Sequence, residues 1–482
     1  MLPIDSLRQC VGSGVLLNDA ADIAPYLQDH RRLYQGRALA VALPRNVGEV
    51  CALLAWCHEN RVGVVPHGGN TSYCGGATPD ESGTQLVIGL QRLNRIRSID
   101  AANYSMTVEA GCVLEAVQRA AADADRFFPL ELGSAGSCQI GGNLATNAGG
   151  LNVVRFGMVR DLVLGIEAVL PNGAVLERLR ALRKDNTGYD LRGLLIGSEG
   201  TLAIITAATL KLWPRLRSTA TAFVAVPTVE AAVQLLDLMR GAAGERVNSF
   251  ELLPRTALEL VLRHIEAAID PLDSRYEWYV LCELSSFADE PLDDLLAQVL
   301  SQASAAGLVQ EAVLAAHERQ RASLWRLRQS VPEAQRRAGP SLKHDISVPV
   351  ARLADFVAQA TAWVQREVPE GTLVGYGHAG DGNLHFNLSF LSGTTVAAPL
   401  AAREAQVRRA IHDLVVAHGG SFSAEHGIGR LKAAELQRYC SATQLSMMRA
   451  IKTALDPHGI MNPGKVLVPT GDRHTLSVAS AR

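Results

Sequence analysis

The chain has 482 residues, with 46 Lys and Arg against 48 Asp and Glu, for a net charge of −2. At 48% hydrophobic and 20% charged residues it reads as globular, not disordered. At one domain per ~150 residues its length suggests about three domains or subdomains. The near-neutral balance gives no reason to expect nucleic acid or an anionic membrane as partner, and no apolar run approaches the ~18 residues a membrane helix needs.

In chain order, Ala38–Leu43 is predicted as a strand ending at Pro44, and Val47–Asn60 as a helix with apolar Val50, Leu53, Leu54 and Cys57 at helical spacing. Val62–Pro66 is a short apolar strand running into a glycine-rich turn. Leu86–Leu90 and Ser105–Ala110 are further strands, and Val113–Ala124 is a helix. Leu162–Leu170 is a strand stopped by the turn signal Pro171-Asn172-Gly173, and Leu202–Leu212 is a strand closed by Pro214. From Thr219 the rhythm changes. Thr221–Val226 and Trp278–Leu284 are strands, Val229–Arg240 and Pro291–Ala305 are helices, and the alternation suggests a sheet with helices on one face. Asp345–Val350, Leu373–Tyr376 and Leu384–Phe390 are also predicted as strands.

Glycine is unevenly spent. Of 42 glycines, 25 fall in residues 1–200, five in 201–374 and 12 in 375–482, so the two ends of the chain build sites and the middle builds ordinary elements. The loop 66–76 carries Gly68-Gly69 and Gly75-Gly76. Consecutive N–H groups in such a loop make a concave anion site, although for one Gly-Gly pair alone the reading as a surface turn would win. The run Leu132–Gly150 is uncharged and dominated by Gly, Ser, Ala and Asn, as suits backbone laid against a large, flat, polar ligand. Gly197-Ser198-Glu199-Gly200-Thr201 sits at the entry to a strand. Neither Gly-x-Gly-x-x-Gly nor a Walker A loop occurs, which disfavours a nicotinamide- or ATP-dependent enzyme.

These stretches, with Arg183–Leu191, Ile196–Thr206 and Leu455–Lys465, resemble the FAD-linked vanillyl-alcohol oxidase/p-cresol methylhydroxylase superfamily. Within it they resemble most the D-2-hydroxyglutarate and D-2-hydroxyacid dehydrogenases, over residues 35–467. The resemblance implies an α+β chain. A two-part FAD-binding domain of the p-cresol methylhydroxylase type would occupy 1–215, and an α/β substrate (cap) domain with an antiparallel sheet 216–410. The segment 411–482 would return to the FAD domain and complete the active site. The pyrophosphate would lie against Gly68, Gly69, Asn70, Thr71, Ser72 and Tyr73. The rest of FAD would lie against Gly133, Ser137, Gly141, Gly142, Asn143, Thr146, Gly149, Glu199 and Gly200, with Asn462 approaching the isoalloxazine. His67 stands where many relatives have Gln, and Ser72-Tyr73-Cys74 replaces a more usual Gly-Leu-Val. Because the nearest relatives hold FAD noncovalently, noncovalent binding is expected despite the His67 ring.

A second constellation surrounds Gly380-Asp381-Gly382. His378 precedes this turn and His385 follows it, so the two can face each other across a hairpin. His385 and Asn387, two apart on a strand, share a face. Two His and a carboxylate suit an open divalent-metal site, but two of 13 His near one turn is also unremarkable. The resemblance assigns His378, His385 and Glu425 as ligands of zinc or a similar ion, and His426 as the catalytic base. It implies that Arg328 and Lys343 meet substrate carboxylates and that Asn387 also binds substrate. The bland alternative is that Arg328 is a solvated helix charge and Lys343 a surface residue. Relatives often carry a hydroxyl four residues after the Arg, where this chain has Pro332.

The implied activity is oxidation of a D-2-hydroxy acid, D-2-hydroxyglutarate foremost, by hydride transfer to flavin N5. A D-lactate-type dehydrogenase is the rival enzyme. A flavin-binding redox carrier without catalysis is the rival of another class, and the intact His378/His385/Glu425/His426 set argues against it. The electron acceptor would be an electron-transfer flavoprotein, a cytochrome or a quinone, and a homodimer is among the open oligomeric states. The N-terminus lacks a basic region followed by an apolar stretch. The eight scattered cysteines, with no Cys-x-x-Cys, read as reduced thiols. A cytoplasmic location is therefore expected.

Overall fold

The computed structural model of the chain describes residues 4–12, 14–391 and 397–468. The chain divides into two compact units. Unit 1 takes the residues up to Gly150, Gly157–Arg215 and those from Glu425; unit 2 takes Leu151–Phe156 and Leu216–Ala424.

Unit 1 contains a parallel three-stranded sheet in the order Ala40–Ala42, Leu86–Gly89, Val64–His67. Parallel strands need a crossover, and the helix Val47–Asn60 supplies the one between the two outer strands. Asn46 caps it by accepting the Glu49 N–H at 2.9 Å, and Arg61 ends it in a left-handed conformation at φ 52°. Val50, Leu53, Leu54 and Cys57 form its buried stripe. The C-terminal residues extend this sheet: Val64 pairs with Met461 in parallel, and Asn462 N–H donates to the Val64 carbonyl at 2.7 Å.

The second sheet of unit 1 is antiparallel, in the order Ile96–Asp100, Ser105–Glu109, Ile204–Lys211, Val163–Val169, Val175–Arg178. Its carboxylates are matched across strands. Arg97 donates to both oxygens of buried Glu167 at 2.9 and 3.0 Å, and Arg95 to buried Glu109 at 2.8 Å. The turn Pro171-Asn172-Gly173 forms as predicted, with Asn172 Oδ1 accepting the Ala174 N–H at 3.0 Å.

Unit 2 holds an antiparallel sheet in the order Val247–Pro254, Trp278–Ser286, Ser218–Val226, Glu311–Leu314. Contrary to the one-sided arrangement expected, helices cover both faces. Ala222, Val224, Phe250, Leu252, Val280 and Cys282 pack toward the helices Val229–Ala243 and Leu292–Ala305. Phe223, Ala225, Leu253, Tyr279 and Leu281 pack toward Arg255–His264, Glu318–Gln329 and Val331–Ala338. A sheet buried on both faces needs no polar alternation. For the same reason the wholly buried strand Val247–Pro254 is absent from the predicted elements.

A third sheet, also in unit 2, centres on Asn383–Ser389. This strand pairs antiparallel with Thr372–Tyr376 on one side and with Ser341–Leu342 and Asp345–Ser347 on the other. The strand predicted to run to Val350 stops at Ser347, and a short 3₁₀ turn, Val350–Arg352, follows Pro349. The central strand alternates as a half-buried strand should. Leu384, Phe386 and Leu388 enter the apolar core, and Asn383, His385, Asn387 and Ser389 form the other, polar face.

Phe386 is fully buried, with its ring centroid 5.1 Å from that of Phe356. Phe386→Ala should destabilise unit 2 by roughly 3–5 kcal/mol, the usual cost of emptying an aromatic site. The check is the urea midpoint followed by tryptophan fluorescence, because Trp278, Trp325 and Trp363 all lie in unit 2.

Candidate functional site

In unit 1 the glycine-rich stretches lie against one another. A Cβ on Gly69 would come within 2.2 Å of the Ser137 carbonyl, so the loop 66–76 packs directly on the run that starts at Leu132. Gly141 has no room either: its Cβ would meet that of Ala110 at 2.7 Å. Gly133 and Gly142, by contrast, face open space, with no heavy atom within 4 Å of where a Cβ would stand. Close backbone packing on one side and open backbone on the other make a cradle.

Seven buried polar atoms of this unit lack a hydrogen-bond partner among the described residues, and four of them stand on or beside the glycine-rich stretches and the C-terminal segment: His67 Nε2, Thr78 Oγ1, Gln139 Oε1 and Asn462 Oδ1. Each such atom costs about 1–3 kcal/mol if nothing else meets it. They belong to the same region. Gln139 Oε1 lies 3.8 Å from where a Gly68 Cβ would be, and Asn462 Nδ2 donates to the Gly76 carbonyl at 2.9 Å and to the Glu199 carbonyl at 2.8 Å. Asn70, Glu199 and Asn462 all adopt positive φ, between 43° and 53°, the kind of backbone strain that gathers at ligand clamps. Open glycine backbone edged by orphaned polar atoms fits a large polar cofactor such as FAD.

Other expected flavin residues are engaged within the unit. Asn143 Nδ2 donates to Cys138 Sγ at 3.5 Å, the Thr146 hydroxyl to the Gly142 carbonyl at 3.1 Å, and the Ser137 hydroxyl to the Ser134 carbonyl at 3.3 Å. Glu199 accepts the N–H groups of Ile428 and Gly429, both at 2.7 Å, and so braces the segment after His426. Burial raises the Glu199 carboxyl despite those two donors and Lys432. Glu425 Oε1 accepts the Gly150 N–H at 2.7 Å, and a Cβ on Gly149 would stand 2.6 Å from that oxygen. The His426 ring stacks on Tyr73, with centroids 4.6 Å apart and planes at 25°.

In unit 2 the backbone pins the loop that carries His378. Leu252 and Gly377 exchange N–H···O=C bonds of 2.8 and 3.0 Å, and Gly380 N–H donates to the Phe250 carbonyl at 3.0 Å. Between Phe250 and Leu252 stands Glu251, which is 1% exposed. Its Oε1 lies 2.6 Å from His378 Nδ1, and its Oε2 accepts from Arg328 Nε at 2.5 Å. Burial would raise the Glu251 carboxyl, but the Arg328 charge and then His378 outweigh it and hold the group at about 2. Arg328, at 5% exposed, is therefore not the solvated helix charge that its neighbours Arg321 and Arg326 allowed. Its guanidinium also lies over the Tyr376 ring at 4.8 Å.

His378 and His385 do face each other across the hairpin, with ring centroids 5.6 Å apart. His385 is opposite Asp345 in register, and its Nδ1 is 3.9 Å from Asp345 Oδ1. Asn387 is buried on the same face. Its Oδ1 accepts the His344 N–H at 3.2 Å, and its Nδ2 donates to Gln335 Oε1 at 3.0 Å. Lys343 is half-buried between the strands Ser341–Leu342 and Asp345–Ser347. Pro332 is at the start of the helix Val331–Ala338, where a missing N–H costs nothing. Sequence reasoning missed Glu251. The available signal was a lone charge inside the apolar run Phe250–Leu253.

Residues 38–178 match the family model described as FAD binding domain, and residues 215–466 that of FAD linked oxidases, C-terminal domain. The mitochondrial D-2-hydroxyglutarate dehydrogenase of Arabidopsis thaliana is 37% identical over 467 residues, covering 96% of this chain and 81% of the relative. The D-2-hydroxyglutarate dehydrogenase of Xanthomonas citri is 38% identical over 461 residues, 96% of each. The chain belongs to the D-2-hydroxyglutarate dehydrogenase family of FAD-linked oxidoreductases. A relative from Saccharomyces cerevisiae, 32% identical over 95% of this chain and 93% of its own, is named a D-2-hydroxyglutarate–pyruvate transhydrogenase. Among solved structures, substrate-bound p-cresol methylhydroxylase superposes with a TM-score of 0.75 at 15% identity over 96% of each chain. An alkyldihydroxyacetonephosphate synthase gives 0.72 at 17%, over 96% of this chain and 86% of that one. These bear out the expected α+β, p-cresol methylhydroxylase-type fold.

His67 provides a pH test within this family setting. Burial drives its pKa from 6.5 down to about 4, against the weaker opposing effect of the Gly68 carbonyl. Between those values the unfolded chain holds the proton and the folded chain does not. The stabilisation is thus complete above pH ~6.5 and is lost as pH falls toward 4. The loss attributable to His67 should reach roughly 3 kcal/mol. Melting of the flavin-free protein at pH 7 and pH 5 should show a smaller acid loss for His67→Gln than for wild type.

Proposed function

We propose that the protein oxidises D-2-hydroxyglutarate to 2-oxoglutarate with noncovalent FAD and a divalent metal, zinc foremost. The observation that carries this reading is the polar lining of unit 2. Two imidazoles face each other on one hairpin, beside an arginine that is buried but whose Nη atoms make no hydrogen bond among the described residues. A half-buried lysine stands on the strand edge nearby in the same sheet. Imidazoles suit a metal, and two cations suit the two carboxylates of a dicarboxylic substrate, because a carboxylate leaving water needs a charged partner.

In this reading the backbone of Gly68–Tyr73 and of the run from Gly133 to Gly149 holds FAD, and Glu199 supports the site by bracing 428–429. FAD supplies the hydride acceptor for the C2 hydrogen, and the metal supplies positive charge that lowers the pKa of the C2 hydroxyl. His378, His385 and Glu425 would hold that metal. His426 takes the hydroxyl proton on a ring nitrogen, since a neutral imidazole is the side-chain base suited to pH 7. Its stacking on Tyr73 restricts the ring to one plane. Arg328 orients one carboxylate and Lys343 the other, while Asn387 ties the His385 strand to Gln335 and the His344 backbone. The electrons then leave to an acceptor of the electron-transfer flavoprotein, cytochrome or quinone class.

Lys343 separates 2-hydroxyglutarate from lactate, which carries only a methyl where the distal carboxylate would be. A hydrogen bond to a charged group contributes roughly 1.5–3 kcal/mol. Lys343→Ala should therefore lower kcat/KM for D-2-hydroxyglutarate by roughly 10- to 150-fold, with little change for D-lactate. Equal losses on both substrates, or a wild-type preference for D-lactate, would favour the D-lactate-type reading.

A further inference from the structure

We infer that Glu251 is a positioning residue that orients His378 and Arg328 together, a role that rests on the metal and substrate assignments above. An ionised carboxylate has only acceptor sites. Facing Nδ1 at 2.6 Å, it selects the His378 tautomer with hydrogen on Nδ1, which places the ring's lone pair on Nε2. Such carboxylate–histidine pairs orient metal ligands. The other oxygen receives Nε of Arg328. With Nε held there and the guanidinium plane lying over Tyr376, the Nη edge is left to a substrate carboxylate.

Holding the fold together does not explain Glu251. The loop of His378 is already joined to the strand by three backbone hydrogen bonds, Leu252 with Gly377 twice and Gly380 to Phe250. Removing the Glu251 carboxylate leaves all three in place. A buried ion pair is also a weak source of stability, since apolar residues of similar volume serve as well or better. Leu253, two residues on, packs into an apolar cluster from the same strand, so a leucine at 251 would fit the strand. What a leucine could not do is accept two hydrogen bonds in opposite directions. Glutamine could not do so either. It has one acceptor oxygen and an NH₂, which must meet either the Nδ1–H or the Nε–H donor to donor.

The test uses flavin-loaded protein, with Zn²⁺ and 2-oxoglutarate as probes. Zinc affinity is read by competition with a chromogenic chelator, and 2-oxoglutarate affinity by its perturbation of the flavin absorption spectrum. Glu251→Gln should keep its flavin and its circular dichroism, lose roughly 10- to 100-fold in zinc affinity, and bind 2-oxoglutarate at least about tenfold more weakly. Glu251→Asp, which keeps the charge but shortens the reach, should fall between wild type and Gln on both readouts. Wild-type affinities in the Gln variant overturn the inference, as does loss of zinc only in step with loss of flavin or fold. Should the Gln variant not fold, the Asp variant decides: intermediate affinities support positioning, and wild-type affinities overturn it. The underlying metal reading is checked separately. If the wild-type protein binds no zinc, or binds it undiminished after His385→Ala, that reading fails and the inference falls with it.

Discussion

A carboxylate cut off from water must be matched by donors on every side that faces protein, and in unit 2 that requirement falls on Glu251. Its ionisation depends on Arg328, the Arg328 side chain is desolvated against Tyr376, and His378 completes the set. These residues come from three separate stretches: the strand Val247–Pro254, the end of the helix Glu318–Gln329, and the strand Thr372–Tyr376 with the loop that follows it. One buried charge thereby sets the direction of side chains on the four-stranded sheet's helix and on the loop of the smaller sheet that bears His385. The arrangement works because the backbone bridge between Leu252 and Gly377 already sets the spacing. The side chains need only supply direction.

Unit 1 solves the opposite problem. There the polar groups are backbone N–H and carbonyl groups in glycine-rich loops, and the loops are compressed onto each other where Gly69 meets Ser137 and Gly141 meets Ala110. The free face of the backbone stays open, and four buried side-chain atoms beside it have no hydrogen-bond partner among the described residues. Strained φ values at Asn70, Glu199 and Asn462 fall in the same region. Folding such loops is unfavourable on their own account and is rational only when a polar ligand repays the unmet hydrogen bonds.

Much of this was legible in the amino-acid pattern, for reasons that can be named. The helix Val47–Asn60 runs between the predicted residues because Asn46 caps it and its apolar stripe has helical period. The hairpin of His378 and His385 followed from Gly380-Asp381-Gly382. The glycine-rich loops announced a cradle because no solvated loop needs so many glycines. Where the pattern failed, burial on both faces had erased it. The strand Val247–Pro254 shows no alternation, and the helices on the second face of its sheet were not anticipated. Glu251 went unnoticed because what gives it meaning is distant in sequence, 77 residues away at Arg328 and 127 at His378. Arg328 itself could be read as a helix surface charge until its burial was known.

The central claim is that this member of the family oxidises a D-configured 2-hydroxy dicarboxylate at FAD. The most direct measurement is anaerobic mixing of the purified, flavin-loaded protein with D- or L-2-hydroxyglutarate, following the flavin absorbance in a single turnover. The D enantiomer should bleach the flavin and release one 2-oxoglutarate per flavin, while the L enantiomer leaves the spectrum unchanged. A flavin that stays oxidised with the D enantiomer, or that both enantiomers bleach alike, would contradict the claim.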